Sequence, residues 1–273
     1  MVRRRVLITG ADGIIGSVVR DRLADRYELR LMTHGPASYE SVVADVTDLD
    51  AIRPAFDDVD AVVHLAGNPS VSASWADLLP ANITGTRNVY EAAASAGVPL
   101  VIYASSNHAI GMYEVDGAPG IHRPDHGLTY DEHAELRPDS LYGVTKVFGE
   151  AIGRYYVERR GLRVIALRIG SVTEDDDPAT PSQVEAAPEK PLTREQQIAR
   201  HAAVWLSHRD CASLIAAAID ADEVRWAVVY GVSGNAARFW SLDSARRLLD
   251  WWPEDGADID GGRIGARPPQ VPR

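Results

Sequence analysis

Tyr142 and Lys146 sit four residues apart in Tyr142-Gly-Val-Thr-Lys146, downstream of a serine pair, Ser105-Ser106. These residue types suit one kind of chemistry. A secondary alcohol or hemiacetal gives up a hydride only if its hydroxyl proton leaves as well. A tyrosine, with an ordinary pKa of ~10, is a poor base until a nearby cation favours its phenolate. A lysine at i+4 shares the helix face and supplies that cation. Tyr142 is therefore the expected base, and Lys146 the group that tunes it and holds a nicotinamide ribose. Ser106 is the hydroxyl expected to orient the substrate oxygen.

A hydride needs an acceptor, and the start of the chain offers a place for one. In Thr9-Gly-Ala-Asp-Gly-Ile-Ile-Gly16 the glycines follow an apolar strand pattern and open a helical one. Such a loop turns tightly and lets backbone approach a pyrophosphate, while the helix N-terminus presents free N–H groups. The expected cofactor contacts begin with Gly10, Gly13, Ile14, Ile15 and Gly16. They continue at later strand ends with Thr33, His34, Asp45, Val46, Leu65, Ala66, Gly67 and Ile169. A carboxylate at the end of the second strand usually holds the adenosine ribose of NAD. Leu31-Met-Thr-His-Gly35 has none. Thr33 and His34 can bond a 2′-hydroxyl or leave room for a 2′-phosphate, and no arginine stands there to clamp one. NAD is the expected cofactor, with NADP left open. Asp45 suits the adenine amino group, and equally a turn carboxylate.

The elements that must position these groups alternate. Strand patterns at 5–9, 27–32, 41–44, 60–66, 100–104 and 163–168 are interleaved with helical patterns at 14–24, 49–56, 75–96 and 140–159. Ile14, Val18 and Leu23 are expected to face inward from the first helix. This rhythm predicts an α/β fold with a doubly wound parallel sheet. Two long loops, 113–138 and 174–191, follow strand ends, where such sheets bind ligands. Further patterns, helical at 194–206, 209–221 and 242–249 and extended at 226–230, suggest a small C-terminal substrate-binding subdomain. The expected division is 1–170 for the dinucleotide-binding domain, 171–260 for the subdomain and 261–273 for a flexible tail.

Composition narrows the partners. A net charge of −11 over 273 residues argues against nucleic acid, which needs a basic face. No apolar run reaches membrane-spanning length. The lone cysteine, Cys211, cannot form an internal disulfide and fits a reducing cytoplasm; its apolar surroundings read as core. The eight histidines are scattered without ligand spacing, so no metal is expected. The helices at 75–96 and 140–159 are candidate surfaces for a homo-oligomer.

Thr9-Gly-x-x-Gly-x-x-Gly16, Asn82 in Ala81-Asn-Ile-Thr-Gly-Thr86, Ser105-Ser106 and Tyr142-x-x-x-Lys146 together resemble the extended short-chain dehydrogenase/reductase superfamily, over essentially the whole chain. That resemblance implies a Rossmann-type fold and places Asn82 among the cofactor-site residues. A narrower likeness lies in Ala104-Ser-Ser-Asn-His-Ala-Ile-Gly111, Leu141-Tyr-Gly-Val-Thr-Lys146, Arg168-Ile-Gly-Ser171 and Trp205-Leu-Ser-His-Arg-Asp210. These are similar to uronate dehydrogenases and to NAD-dependent glucose-6-phosphate dehydrogenases of halophilic archaea, which oxidise an anomeric C1 hydroxyl to a lactone. The likeness implies an acidic sugar substrate, a hexuronate or sugar phosphate. It implies contacts from Ser70, Ser106, Asn107, His108, Tyr142 and Ser171, with Arg200 clamping the acidic group. A solvated helix arginine is an equal reading of Arg200. A nucleotide-sugar epimerase or dehydratase that retains its cofactor is the alternative, and a non-catalytic cofactor-binding protein a weaker one. The short stretch after Arg168 favours a small substrate over a nucleotide sugar.

Overall fold

A computed structural model describes residues 3–181 and 191–266. In chain order the elements begin β1 (Arg5–Thr9), α1 (Ile14–Leu23), β2 (Glu28–Thr33), β3 (Val42–Val43), α2 (Leu49–Ile52) and β4 (Ala61–His64). They continue with α3 (Trp75–Leu78), α4 (Thr86–Ala96), β5 (Leu100–Ser106), α5 (Met112–Gly117), α6 (Leu141–Arg160) and β6 (Arg163–Ile169). The last are α7 (Arg194–Val204), α8 (His208–Asp220), β7 (Trp226–Gly231), α9 (Asp243–Leu249), β8 (Asp255–Ala257) and β9 (Arg263–Gly265). Among the described residues no helix is long and apolar enough to cross a membrane.

The main sheet has seven parallel strands in the order β3-β2-β1-β4-β5-β6-β7. Strand order reverses between β1 and β4, which opens a crevice at their C-terminal ends. Both faces are covered, so strands such as β4 and β5 are buried throughout. Side chains alternate between two cores. Val6, Ile8 and Ile102 join Val18, Leu214 and Ile215 on the α1 and α8 face. Leu7, Val101 and Tyr103 join Val89, Tyr90 and Tyr156 on the α4 and α6 face.

Several elements differ from their sequence patterns. The helix expected over 75–96 is interrupted by a π-turn, Leu79–Gly85, between α3 and α4. Pro80 lies in that turn and has no N–H to give a regular α ladder. Ile14 does not face the core. It is 44 % exposed and lines a cavity instead. β5 runs on to Ser106, because Ser105 and Ser106 keep pairing with Arg168 and Ile169. The 113–138 segment is built structure. It contains most of α5 and a 3-10 turn, Gly120–His122, and Tyr130 bridges to Trp240.

The boundary at 170/171 falls inside the sheet, since β7 pairs with β6 along its length and α8 packs on the same core as α1. β7 and α8, both after residue 171, therefore share the main core. Within the expected tail, β9 pairs with β8, so 263–265 form a hairpin strand. Residues 182–190 of the second long loop, and 267–273, lie outside the described residues.

One buried ion pair ties the helix of the Tyr–Lys motif to the sheet. Arg168 Nε and Nη2 donate to Glu150 Oε1 and Oε2, each at 2.9 Å. Ser105 Oγ donates to the same carboxylate at 2.6 Å, and Arg168 Nη1 reaches Tyr230 Oη at 2.9 Å. Both charged side chains are buried. Glu150→Gln would leave a guanidinium buried against a neutral amide, and a loss of about 3–5 kcal/mol is expected. It should be read as a lower urea midpoint at unchanged slope. The double replacement Glu150→Leu with Arg168→Met should recover most of that loss. A double variant no more stable than the single one would show that packing, not the unpaired charge, sets the cost.

Candidate active site

Ser106 ends β5 in an extended conformation and caps the 3-10 turn Asn107–Ile110, its Oγ accepting from His108 N at 3.3 Å. The same hydroxyl donates to Asn107 Oδ1 at 3.2 Å. Tyr142 lies in the first turn of α6, whose N-cap Ser140 accepts from Gly143 N at 3.0 Å. Gly143 allows the close approach of these two elements. A Cβ there would sit 2.3 Å from the His108 carbonyl oxygen. Ser106 is close enough to the Tyr142 phenol to favour its ionised form. One turn on, Lys146 Nζ donates to the Ala104 carbonyl at 2.8 Å and lies 5.3 Å from the Tyr142 ring centroid.

Burial pushes the Tyr142 phenol up to about 12, with the Ser106 hydroxyl opposing and Asp139 adding to the rise. Burial also lowers the Lys146 ammonium to about 8. Lys146 directs its charge at a carbonyl and is not among the groups that set the Tyr142 pKa. His108 Nδ1 is 2.7 Å from Asp139 Oδ2, and its ring meets Tyr142 edge-on at 5.8 Å.

Tyr142, Lys146, Ser106, Asn107 and His108 line one cavity of about 410 Å³. Its walls also hold Gly10, Gly13, Ile14, Ile15 and Gly16, with Ile169, Ser171 and Arg200. A second cavity of about 480 Å³ shares Gly10, Gly13, Leu65 and Gly67 with the first. It is lined by Thr33, His34, Asp45, Val46 and Ala66 as well. Gly10 is left-handed at φ +70°, and a Cβ on it would meet Ala66 N at 2.8 Å. α1 begins at Gly13 with no side-chain cap, so its first N–H groups face the shared region. This cradle fits a dinucleotide pyrophosphate. Asp45 Oδ1 accepts from Thr47 N at 2.8 Å, which, as the largest cause, holds its carboxyl below the usual range. Its other oxygen lies 3.8 Å from His34 Nδ1. The Thr33 hydroxyl pairs with Ser41 at 3.0 Å.

Three residues depart from their expected places. Ser70 is exposed and bonds Ser72 at 3.2 Å, while its neighbour Val71 lines the cavity. Asn82 is buried behind the wall. Its Oδ1 accepts from Asn68 N at 2.7 Å and its Nδ2 donates to Asn68 O at 3.0 Å and to Thr145 Oγ1 at 3.1 Å. Asn82 thus reaches the cavity through Asn68, which does line it. Arg200 lines the cavity but is no solvated helix residue. It is 3 % exposed, with Nε 2.6 Å from Glu114 Oε1 and Nη2 donating to Glu114 Oε2 at 3.3 Å. Glu114, Asn68 and Asp139 were not anticipated from sequence, and nothing in their local sequence patterns marks them.

The model of the NAD-dependent epimerase/dehydratase family matches residues 6–183. The chain belongs to that family. Within it, the chain is 38 % identical to an NAD-dependent glucose-6-phosphate dehydrogenase of Haloferax volcanii, over 92 % of this chain and 94 % of that protein. It is also 38 % identical to an L-arabinose 1-dehydrogenase (NAD(P)+) of the same organism, over 93 % and 97 %. A crystal structure of a mutant uronate dehydrogenase from Agrobacterium tumefaciens complexed with NAD is 31 % identical. It superimposes with a TM-score of 0.74 over 94 % of this chain and 86 % of that one. The Ser106–Tyr142–Lys146 arrangement described above is thus set in a fold shared with a uronate dehydrogenase solved in complex with NAD.

The buried Lys146 generates a test of the site's electrostatics. Folding lowers its pKa from 10.5 to about 8. Between those values the unfolded chain binds a proton that the folded chain does not, so stability from this group rises with pH. Below about pH 8 the buried ammonium is a net cost. Lys146→Met should therefore stabilise the cofactor-free protein at pH 7 by about 1–3 kcal/mol, with the gain fading towards pH 10.5. Thermal denaturation across pH measures it. A destabilised variant at pH 7 would mean that the Ala104 hydrogen bond outweighs desolvation.

Proposed function

We propose that this chain is an NAD-dependent dehydrogenase that oxidises the C1 hydroxyl of a cyclic sugar to a lactone. One observation carries the reading: Ser106, Tyr142 and Lys146 line one cavity together with Gly10, Gly13 and Gly16 of the glycine loop. Ser106 and Tyr142 hold the anomeric hydroxyl between them. Tyr142 takes its proton as the carbonyl forms, and NAD supplies the hydride acceptor when bound. Lys146, one turn along α6, favours the phenolate once its charge is turned from the Ala104 carbonyl towards the reacting end. Asn107, His108 and Ser171 supply donors and acceptors suited to a polyol. Asp139 fixes the His108 ring through Nδ1.

NAD rather than NADP follows from the other cavity. Its lining carries Asp12, Asp45 and Asp77 and, among the described residues, no lysine or arginine. A 2′-phosphate would gain no cation there and would face carboxylates. The sugars implied by the relatives are hexuronates, glucose 6-phosphate and arabinose, the acidic ones drawing on Arg200.

Formation of NADH on mixing protein, NAD and these sugars is the direct assay. At least one sugar should turn over, and NADP should serve poorly. Tyr142→Phe should lower kcat by about 10²–10⁴-fold while leaving NAD affinity nearly unchanged in a fluorescence titration. Near wild-type turnover in that variant would remove Tyr142 from its role. Protein that retains tightly bound NAD through purification and gives no net NADH would favour epimerase or dehydratase chemistry.

A further inference from the structure

Arg200 is a guanidinium on the wall of the reaction cavity that already holds a carboxylate. Glu114 and Arg200 come from α5 and α7, 86 residues apart, and are 1 % and 3 % exposed. Nε lies 2.6 Å from Oε1 as an ion pair, and Nη2 donates to Oε2 at 3.3 Å. The buried His122 donates Nε2–H to the same Oε1 at 3.0 Å. His122 Nδ1 has no hydrogen-bond partner among the described residues. Glu114 and Arg200 set one negative charge directly against one positive. Elsewhere on this wall the ionisable groups among the described residues are His108, held by Asp139 at 2.7 Å, and the reactive Tyr142 and Lys146.

We propose that Glu114 is a specificity-determining residue: it holds Arg200 at the cavity wall and cancels its charge, so that the site oxidises neutral pyranoses alongside acidic ones. This rests on the C1 dehydrogenase reading above. An unpaired buried arginine would bind a substrate carboxylate or phosphate strongly. It would also penalise a sugar with no anion to offer, because its charge would stay uncompensated. With Glu114 in place, a neutral sugar meets a guanidinium whose charge already faces a carboxylate. An acidic sugar gains Arg200 but is repelled by the carboxylate behind it, which the guanidinium and His122, overcoming burial, keep ionised with a pKa of about 2. Discrimination between the two classes is compressed from both sides.

The test uses sugar pairs that differ only in the charged group: galacturonate against galactose, and glucose 6-phosphate against glucose. Wild-type kcat/KM for a neutral member should lie within about a hundredfold of its acidic partner, the span of two tenfold steps. Glu114→Gln keeps the side-chain shape and exposes one positive charge. It should raise the acidic-to-neutral ratio of kcat/KM by about tenfold or more, mainly through a lower KM for the acid. Arg200→Gln should lower that ratio, and the double variant Glu114→Gln with Arg200→Gln, again without net charge, should return it to within a few-fold of wild type. If Glu114→Gln alone does not fold, Glu114→Leu with Arg200→Met removes both charges at similar volume and should also keep the wild-type ratio.

A ratio that is unchanged or lower in folded Glu114→Gln overturns the role given to Glu114. So does a loss of acid oxidation beyond a hundredfold in the charge-free double variant, since Arg200 would then be working at full charge in the wild type. NADH formation with these outcomes sinks Glu114 alone. No NADH from any of the four sugars sinks the proposed reaction and Glu114 with it.

Discussion

The Glu150–Arg168 ion pair is the constraint on which the site depends. Glu150 follows Lys146 by one helical turn on α6, and Arg168 immediately precedes Ile169, the last residue of β6. Two parallel hydrogen bonds between them fix both the depth and the rotation of the helix against the sheet. The carboxylate also takes the hydroxyl of Ser105, beside Ser106. A single buried carboxylate thus sets the positions of all three reactive side chains relative to one another. Tyr230, which bonds both Arg168 and the Asp131 carbonyl, carries the same constraint outward to the 113–138 segment. Buried ion pairs are poor sources of net stability. Their use here is registration: a helix held only by apolar contacts can slide or turn with little penalty, whereas a two-pronged pair cannot.

How much of this was legible in the sequence depended on sequence distance. The glycine loop, the alternating elements and the Tyr142–Lys146 spacing are local patterns, and each was placed by its own neighbours. Ser106 and the residues after it were readable for the same reason. The interruption at Leu79–Gly85 was not, because the apolar rhythm passes through it unbroken and only Pro80 hints at a change. Asn82 was read as a site residue, but its amide is spent on Asn68 and Thr145, contacts that exist only once α6 is folded against the π-turn. Ser70 and Val71 exchange roles because an exposed loop has no period from which to tell which side chain points inward.

Glu114 shows the limit most clearly. Its neighbours in sequence, Met-Tyr before it and Val-Asp-Gly after, mark a short helix in a loop region and no site. Its meaning comes from Arg200 and His122, both brought to it by tertiary structure. An arginine was expected to read the substrate because guanidinium is the apt group for an anion. The same aptness lets a carboxylate of the protein itself occupy it, and only coordinates distinguish the two cases.

The two ends of the reaction cavity differ in how well their charges are satisfied. At the cofactor end α1 starts without a side-chain cap, Lys146 is buried with a carbonyl and two tyrosine rings around its charge, and burial keeps the Tyr142 phenol near 12. Each of these is unfavourable in isolation. Each is eased by the same kind of ligand, one with negative charge at the loop and hydroxyls beside Lys146. At the other end Arg200 and His108 each sit against a carboxylate. The fold therefore concentrates its electrostatic demand on the cofactor, the molecule that must bind in every turnover. It leaves the substrate end to hydrogen bonds, shape and the Glu114–Arg200 pair, where the role proposed for Glu114 makes one carboxylate the determinant of what is admitted.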